Sequence, residues 1–240
     1  MDKSFIQNAI NNYYYIDPKY TSRPRPEYSL IRFKGVTWQP NVYALARFIG
    51  EKLGCKYMID IGSGAGFKLA SMYPDFQIIG IDYGENLVNC RAKYPFGSWT
   101  EHNLDHPGEL NLPDEIVKDA VVICADVIEH LISPGYLLWK LKKVMELAPI
   151  CLLSTPEREL TYRYNHMGPP FNHCHTREWK LGEFRNLLLS FQFELKYLGL
   201  TISNDKDLRK ETILAIVGNN QHQCKGYDQL ISKQDIDMRA

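Results

Sequence analysis

The sequence has no Cys-x-x-Cys pair, no excess of charge of either sign and no apolar run of membrane-spanning length. Each absence excludes something. The six cysteines (55, 90, 124, 151, 174 and 224) are scattered, several of them inside apolar runs. That pattern reads as buried free thiols in a reducing compartment, not as a disulfide framework. Twenty-eight basic residues balance 28 acidic ones, so no global field draws the chain toward nucleic acid or an anionic membrane. The opening MDKSFIQNAINN is polar and lacks the apolar core of a secretion signal. No stretch approaches the roughly 20 apolar residues of a membrane helix, and no internal repeat is evident. A cytoplasmic chain is expected. What is present is 240 residues, 45% hydrophobic and 12% aromatic, enough for one α/β domain with a sizeable core.

The most informative stretch runs from Tyr57 to Asp82. Tyr57 to Ile61 is a short apolar run that reads as a buried strand. It enters the turn Gly62-Ser63-Gly64-Ala65-Gly66, followed by a helical run from Phe67 to Met72 that Pro74 stops. Gln77 to Ile81 is a second β-branched run, ending in Asp82. Strand, glycine turn, helix, strand and acid make half of a nucleotide-binding α/β unit. The glycines permit a sharp turn and close approach of a ligand, and the helix start offers free N–H groups. Asp82 can accept from both hydroxyls of a ribose. The spacing is G-x-G-x-G, not the dinucleotide G-x-G-x-x-G. Asp60, two residues before the first glycine, would repel a pyrophosphate and suit an ammonium group.

This D-x-G-x-G-x-G pattern resembles the first motif of the class I S-adenosylmethionine (SAM)-dependent methyltransferases, whose cofactor carries an amine and a sulfonium but no phosphate. In that family the third strand is followed by an acid or amide that meets the adenine amine and by an apolar residue against the ring. Asn103 and Leu104 match that pair, with Asp105 the alternative. The resemblance thus implies a cofactor set of Asp60, Gly62, Ser63, Gly64, Gly66, Asp82, Tyr83, Asn103, Leu104 and Asp126.

In chain order, residues 1–36 are aromatic, basic and proline-containing, and read as a lid over the cofactor edge. Arg23, Arg25, Arg32 and Lys34 are its candidate contacts to an anionic substrate. Pro40 to Leu53 has helical spacing with Gly54 as its stop. Gly84 to Lys93 reads as the next helix and Ser98 to Leu104 as a short extended run. Ala120 to Ala125 is continuously apolar, as in a strand buried on both faces. Ser133 and Pro134 open a helix to about Leu147, and Ile150 to Ser154 is the fifth strand. A long loop, Glu157 to His175, is rich in aromatics and prolines, which argues for function over disorder. Thr176 is expected to cap a helix to Ser190. Phe191–Thr201 and Glu211–Gly218 are the last two strands, one of them antiparallel because no helix fits between them. The tail 220–240 is polar. The expected fold is a doubly wound, Rossmann-like α/β sheet of about seven strands with a terminal antiparallel hairpin. The catalytic domain occupies 37–219, and every candidate residue lies at the carboxyl ends of strands, where such sheets bind ligands.

A second constellation is Asp126, Glu129 and His130, at i, i+3 and i+4. On one helical turn they would face one way and offer two carboxylates and an imidazole to a divalent cation. The long loop adds His173 and His175. D-V-I-E-H-L followed by H-x-R-E-W-x-x-x-E-F (His175, Arg177, Glu178, Trp179, Glu183, Phe184) resembles the small-RNA 3′-end 2′-O-methyltransferases, which bind a divalent metal through two glutamates and two histidines. The matching residues are Asp126, Glu129, His130 and His175. The Glu-His pair also resembles O-methyltransferases of ubiquinone biosynthesis. The G-P-P-x-N-x-x-H-x-R-E-W segment is similar to bacterial methyltransferases of glycan or natural-product assembly.

These resemblances imply a SAM-dependent O-methyltransferase acting on a hydroxyl of a small or saccharide-like molecule. His130 or His175 is the candidate base. With a Mn, Fe or Zn ion they would serve as ligands instead. Two other readings stand beside it: an RNA-end 2′-O-methyltransferase, disfavoured by the zero net charge, and a non-catalytic SAM-binding module.

Overall fold

The computed structural model describes residues 13–27, 35–162, 164–219 and 232–239. Arg32, Lys34, Arg163 and Cys224 lie outside them. Seven strands form one sheet: β1 (Tyr57–Ile61), β2 (Gln77–Asp82), β3 (Ser98–Glu101), β4 (Ala120–Ala125), β5 (Ile150–Pro156), β6 (Glu194–Thr201) and β7 (Thr212–Gly218). Their order is β3-β2-β1-β4-β5-β7-β6. The first five run parallel, and β7 is antiparallel to both β5 and β6. The expected seven-stranded sheet with its terminal hairpin is therefore present.

The apolar runs are continuous because both faces of the sheet are covered. Ile59, Ile61, Val122, Cys124 and Leu153 face one layer, built on helices α5 (Pro134–Val144) and α7 (Leu181–Ser190). Met58, Val121, Ile123 and Leu152 face the other, where α1 (Pro40–Leu53) supplies Val42, Leu45, Ala46 and Ile49. Each fully buried aliphatic side chain contributes about 1.5–3 kcal/mol. Helix α1 begins with Pro40 at its first turn, after Gln39 in a left-handed conformation (φ 49°), and ends on Gly54 (φ 68°). Among the described residues Cys90, Cys124, Cys151 and Cys174 are free and buried.

Several elements differ from expectation. Helix α2 (Phe67–Ala70) is a single turn, because Pro74 and the turn at Ser71–Met72 follow at once. β3 ends at Glu101, so Asn103 and Leu104 belong to the following loop. Two short helices were not expected, α4 (Asp114–Val117) and α6 (Arg158–Tyr162), the latter inside the long loop; α3 (Glu85–Lys93) stands as expected. Thr176 does not cap α7. Residues 176–180 run extended, with Glu157 bridged to Trp179, and the helix starts at Leu181. Residues Lys233–Arg239 of the tail form α8, which buries Ile236 and sets Arg239 over the Phe48 ring of α1.

The segment 13–27 lies along the long loop. Thr21 N donates to Met167 O (2.8 Å), Arg23 N to Thr176 O (2.7 Å) and Glu27 N to His173 O (2.8 Å). The Arg23 guanidinium donates to Pro170 O (2.8 Å), so it binds the loop; Arg25 is exposed. Among the described residues no helix is long and apolar enough to cross a membrane.

Candidate functional site

The glycine turn leaves β1 with Gly62, Gly64 and Gly66 all at positive φ (82°, 55° and 72°). A Cβ on Gly62 would lie 2.4 Å from Val127, and one on Gly66 2.7 Å from the Cys90 sulfur and 2.8 Å from the Trp99 ring. A Cβ on Gly64 would meet nothing within 4 Å. Packing thus dictates the outer glycines, while the middle one faces open space. Trp99 fills the room beneath the turn, against Gly66 and Gly80, with its indole N–H on Tyr94 O (2.8 Å).

Asp60 is buried under this turn. One oxygen accepts from Tyr43 OH (2.8 Å), the other has no hydrogen-bond partner, and burial pushes the carboxyl up to about 6. The buried Ser63 hydroxyl is also without a partner. Asp82 accepts from Gly64 N and Tyr83 N, each at 2.7 Å, which ties the turn to β2. Asn103 accepts from Asp105 N (3.0 Å). Asp105 in turn holds Ile132 N (3.2 Å) and Ser133 N (2.8 Å) at the start of α5. Leu104 is buried in the core and Tyr83 is exposed.

Beside the turn opens a cavity of about 580 Å³. Its wall includes Ser63, Gly64 and Gly66 from the turn, Lys68 from α2, Asp126, Glu129 and His130 after β4, and Asn172 and His175 from the long loop. Asp60, Asp82, Tyr83, Asn103 and Leu104 do not line it.

Glu129, His130 and His175 come together here, with one ligand atom of each within 4.8 Å of the others. The turn after β4 is a 3-10 segment, Ile128–His130. His175 reaches it because Thr176 is clamped to that turn: Thr176 N and Oγ1 donate to Glu129 O (2.7 and 3.0 Å), and Oγ1 also to Leu131 O (2.7 Å). Glu129 is fully buried. One oxygen accepts from Thr155 (3.0 Å) and the other has no hydrogen-bond partner, 3.8 Å from His130 Nε2. Burial and then the nearby Asp126 hold its carboxyl well above the usual carboxylate range.

Both imidazoles have their tautomer fixed from behind. His130 Nδ1–H donates to Cys174 O (2.9 Å), and His175 Nδ1–H to the buried Glu178 carboxylate (2.5 Å), which Tyr162 OH also contacts (3.0 Å). Nε2 of each ring is therefore the acceptor. Burial, aided at His130 by the second imidazole, presses both down to about 4. Burial raises Glu178 to about 7.

Asp126 precedes the 3-10 turn in a left-handed conformation (φ 52°); it lines the same cavity but is not one of the three clustered ligands. Its carboxylate takes Ser154 Oγ (2.6 Å) and the Gln39 amide. His173 pairs with Glu27 at the surface. Glu183, part of the H-x-R-E-W-x-x-x-E-F pattern, is structural: it takes a bidentate pair from buried Arg158 (2.9 and 3.0 Å) and Asp17 N (3.0 Å). Gln39, Tyr43, Lys68 and Asn172 were not anticipated. Lys68, two residues past the last glycine, was the most legible of them.

The chain is 34% identical over 142 residues to a probable SAM-dependent methyltransferase of Mycolicibacterium smegmatis, an alignment covering 58% of this chain and 52% of that protein. It is 34% identical over 133 residues to one of Mycobacterium tuberculosis, covering 55% and 46%. It therefore spans about half the length of the curated relatives it matches. No protein-family model matches. Among solved structures, the methyltransferase domain of bacterial CtHen1 superposes with a TM-score of 0.55 at 18% identity, over 75% of this chain and 97% of that one. A SAM-dependent methyltransferase of Clostridium acetobutylicum superposes at 0.57 and 12%, over 79% and 94%. At these identities the structures speak to the fold.

Proposed function

We infer that this chain, whose fold is that of the class I SAM-dependent methyltransferases, binds SAM beside its glycine turn and transfers the methyl group to a hydroxyl of a small or saccharide-like acceptor. The observation that carries this reading is the juxtaposition, in one cavity, of the glycine turn with Glu129, His130 and His175. The turn suits a cofactor that approaches the backbone closely, since Gly64 leaves open space where a side chain would stand. Asp60 and Ser63, each with a buried atom lacking a partner, are polar groups awaiting one, in keeping with an ammonium-bearing ligand. Asp82 and Asn103 are assigned to the ribose and the adenine.

The three-residue cluster fits a divalent transition ion. It offers a buried carboxylate oxygen without a hydrogen-bond partner and two neutral imidazoles whose Nε2 lone pairs are fixed by acceptors on Nδ1, the usual outer-shell support of metal-bound histidine. A set of one carboxylate and two imidazoles favours Mn²⁺, Fe²⁺ or Zn²⁺ over Mg²⁺. Asn172 Nδ2, which donates to His175 Nε2 (2.9 Å), would yield to it. Asp126 is placed beside the cluster as a neighbour, held by Ser154 and Gln39.

SAM supplies a carbon already activated by a sulfonium, and an ion supplies Lewis acidity that lowers the pKa of a hydroxyl. The protein's own task is to align that hydroxyl, worth roughly 7–11 kcal/mol, and to take its proton. Without an ion, the unprotonated Nε2 of His130 is the group placed to do so. The segment 13–27, bonded to the loop that carries His175, is assigned as a lid. Among the described residues the wall of the cavity holds two carboxylates and a single lysine, which matches a neutral acceptor better than a phosphate-bearing one.

Calorimetry tests the reading directly. S-adenosylhomocysteine should bind and NAD should not. Mn²⁺ should bind the wild type and lose at least tenfold affinity in Glu129→Gln, with release of S-adenosylhomocysteine from SAM on offering a diol acceptor. Binding of NAD alone would overturn the cofactor assignment. Turnover that persists in chelator would return His130 to the role of base.

A further inference from the structure

We propose that Lys68 is the counter-ion of the cofactor's α-carboxylate, so that the amino-acid end of the cofactor is held by opposite charges at its two poles. The proposal rests on the SAM reading and deepens it. That ligand is a zwitterion at its methionine end, and the cavity is built unevenly for one. Asp126 stands in its wall and Asp60 is bonded to the wall residue Tyr43, acids that suit the ammonium pole and oppose the carboxylate. Among the described residues, Lys68 is the one lysine or arginine in the wall.

Its position is fixed. The Lys68 ammonium donates to Trp38 O (3.0 Å) and Gln39 Oε1 (2.9 Å) and stands 4.3 Å over the Tyr43 ring. Two of its three N–H bonds are thereby used, and one is left. The two acids whose fields reach it bond to other groups: Asp60 through one oxygen to Tyr43, and Asp126 to Ser154 and Gln39. Among the described residues neither forms a direct ion pair with it. Burial accordingly disfavours its charge, a cost that a carboxylate in the cavity would offset. Position adds the last argument. Lys68 lies on the single turn of α2, two residues after Gly66, so it is rigidly indexed to the backbone that the cofactor approaches.

Calorimetry with three probes separates this role from a structural one: S-adenosylhomocysteine, its decarboxylated analogue, and 5′-methylthioadenosine, which lacks the amino acid altogether. Lys68→Met should lose S-adenosylhomocysteine affinity about ten- to hundredfold, the worth of a charged hydrogen bond. It should bind 5′-methylthioadenosine and the decarboxylated analogue within about twofold of wild type, which is the yardstick of an intact site. Lys68→Arg should recover most of the loss. Equal weakening of all three probes, or undiminished S-adenosylhomocysteine binding, would overturn the assignment. Should Lys68→Met not fold, the wild type still decides: the decarboxylated analogue should bind at least tenfold more weakly than S-adenosylhomocysteine, and equal affinity would overturn it. A wild type that binds none of the three fails the SAM reading itself, a result distinct from both.

Discussion

At the scale of the residue, the two imidazoles carry a pH signature. His130 and His175 titrate near 4 in the folded chain against an ordinary 6.5. Between those values the unfolded chain binds more protons, so their contribution to stability is present above about 6.5 and is lost as pH falls toward 4. Asp60 has the opposite sign. Raised from 3.8 to about 6, it is protonated first in the folded chain, so its contribution grows as pH falls through that window. Urea unfolding in chelator should therefore show the wild type's margin over a His130→Gln, His175→Gln double variant narrowing from pH 6.5 to 4.5. Its margin over Asp60→Asn should widen from pH 6 to 4. Each slope is at most about 1.4 kcal/mol per pH unit for each group. Parallel curves would mean that these groups titrate normally in the folded chain.

At the scale of the element, the glycine turn separates packing from binding. Gly66→Ala places a methyl against Cys90 and Trp99 at a φ of 72°. Left-handed strain of about 1–2 kcal/mol and overpacking of about 1–3 kcal/mol should add, and the melting temperature should fall steeply. Gly64→Ala meets only the strain, yet sets its methyl in the open space beside the turn. It should lose about 1–2 kcal/mol of stability but most of its affinity for S-adenosylhomocysteine. Equal effects of the two on binding would remove Gly64 from the cofactor's path. This turn was legible in the sequence because glycine spacing and β-branched runs are local signals. So were β4, β5 and the terminal hairpin. The site beyond the turn was legible only in part. Glu129, His130 and His175 were found from a motif, but helical spacing did not foresee the left-handed backbone of Asp126 or the bonds of its carboxylate to Ser154 and Gln39. The bonds of Asp105 to the α5 start and of Glu183 to Arg158 were not legible, since those partners come from distant segments. Thr176 looked like a helix cap because Ser and Thr favour caps; its hydroxyl is taken by the turn after β4.

At the scale of the whole molecule, the segment 13–27 and the loop 157–175 are joined by several hydrogen bonds and come closest at Gly168. A Cβ on Gly168 would lie 2.1 Å from Thr21 O, a backbone atom that cannot swing aside, and φ there is 70°. Gly168→Ala should part the segment 13–27 from the loop without touching the sheet. The expected result is faster cleavage by trypsin within 13–27 and about tenfold weaker Mn²⁺ binding, in the range for loss of outer-shell support. Far-UV circular dichroism should be unchanged. Faster cleavage with unaltered Mn²⁺ affinity would show that this segment does not position His175.

Trp99 gives the protein a reporter of its own. Its ring is wedged beneath the glycine turn with its N–H already held, so it is an indole of fixed orientation one backbone layer from the proposed cofactor. Emission excited at the tryptophan band should shift or quench as S-adenosylhomocysteine is added. The part due to Trp99 should persist in Trp38→Phe, which removes the indole in the cavity wall itself. Occupancy can then be read in a cuvette, on unlabelled protein, before any acceptor is known.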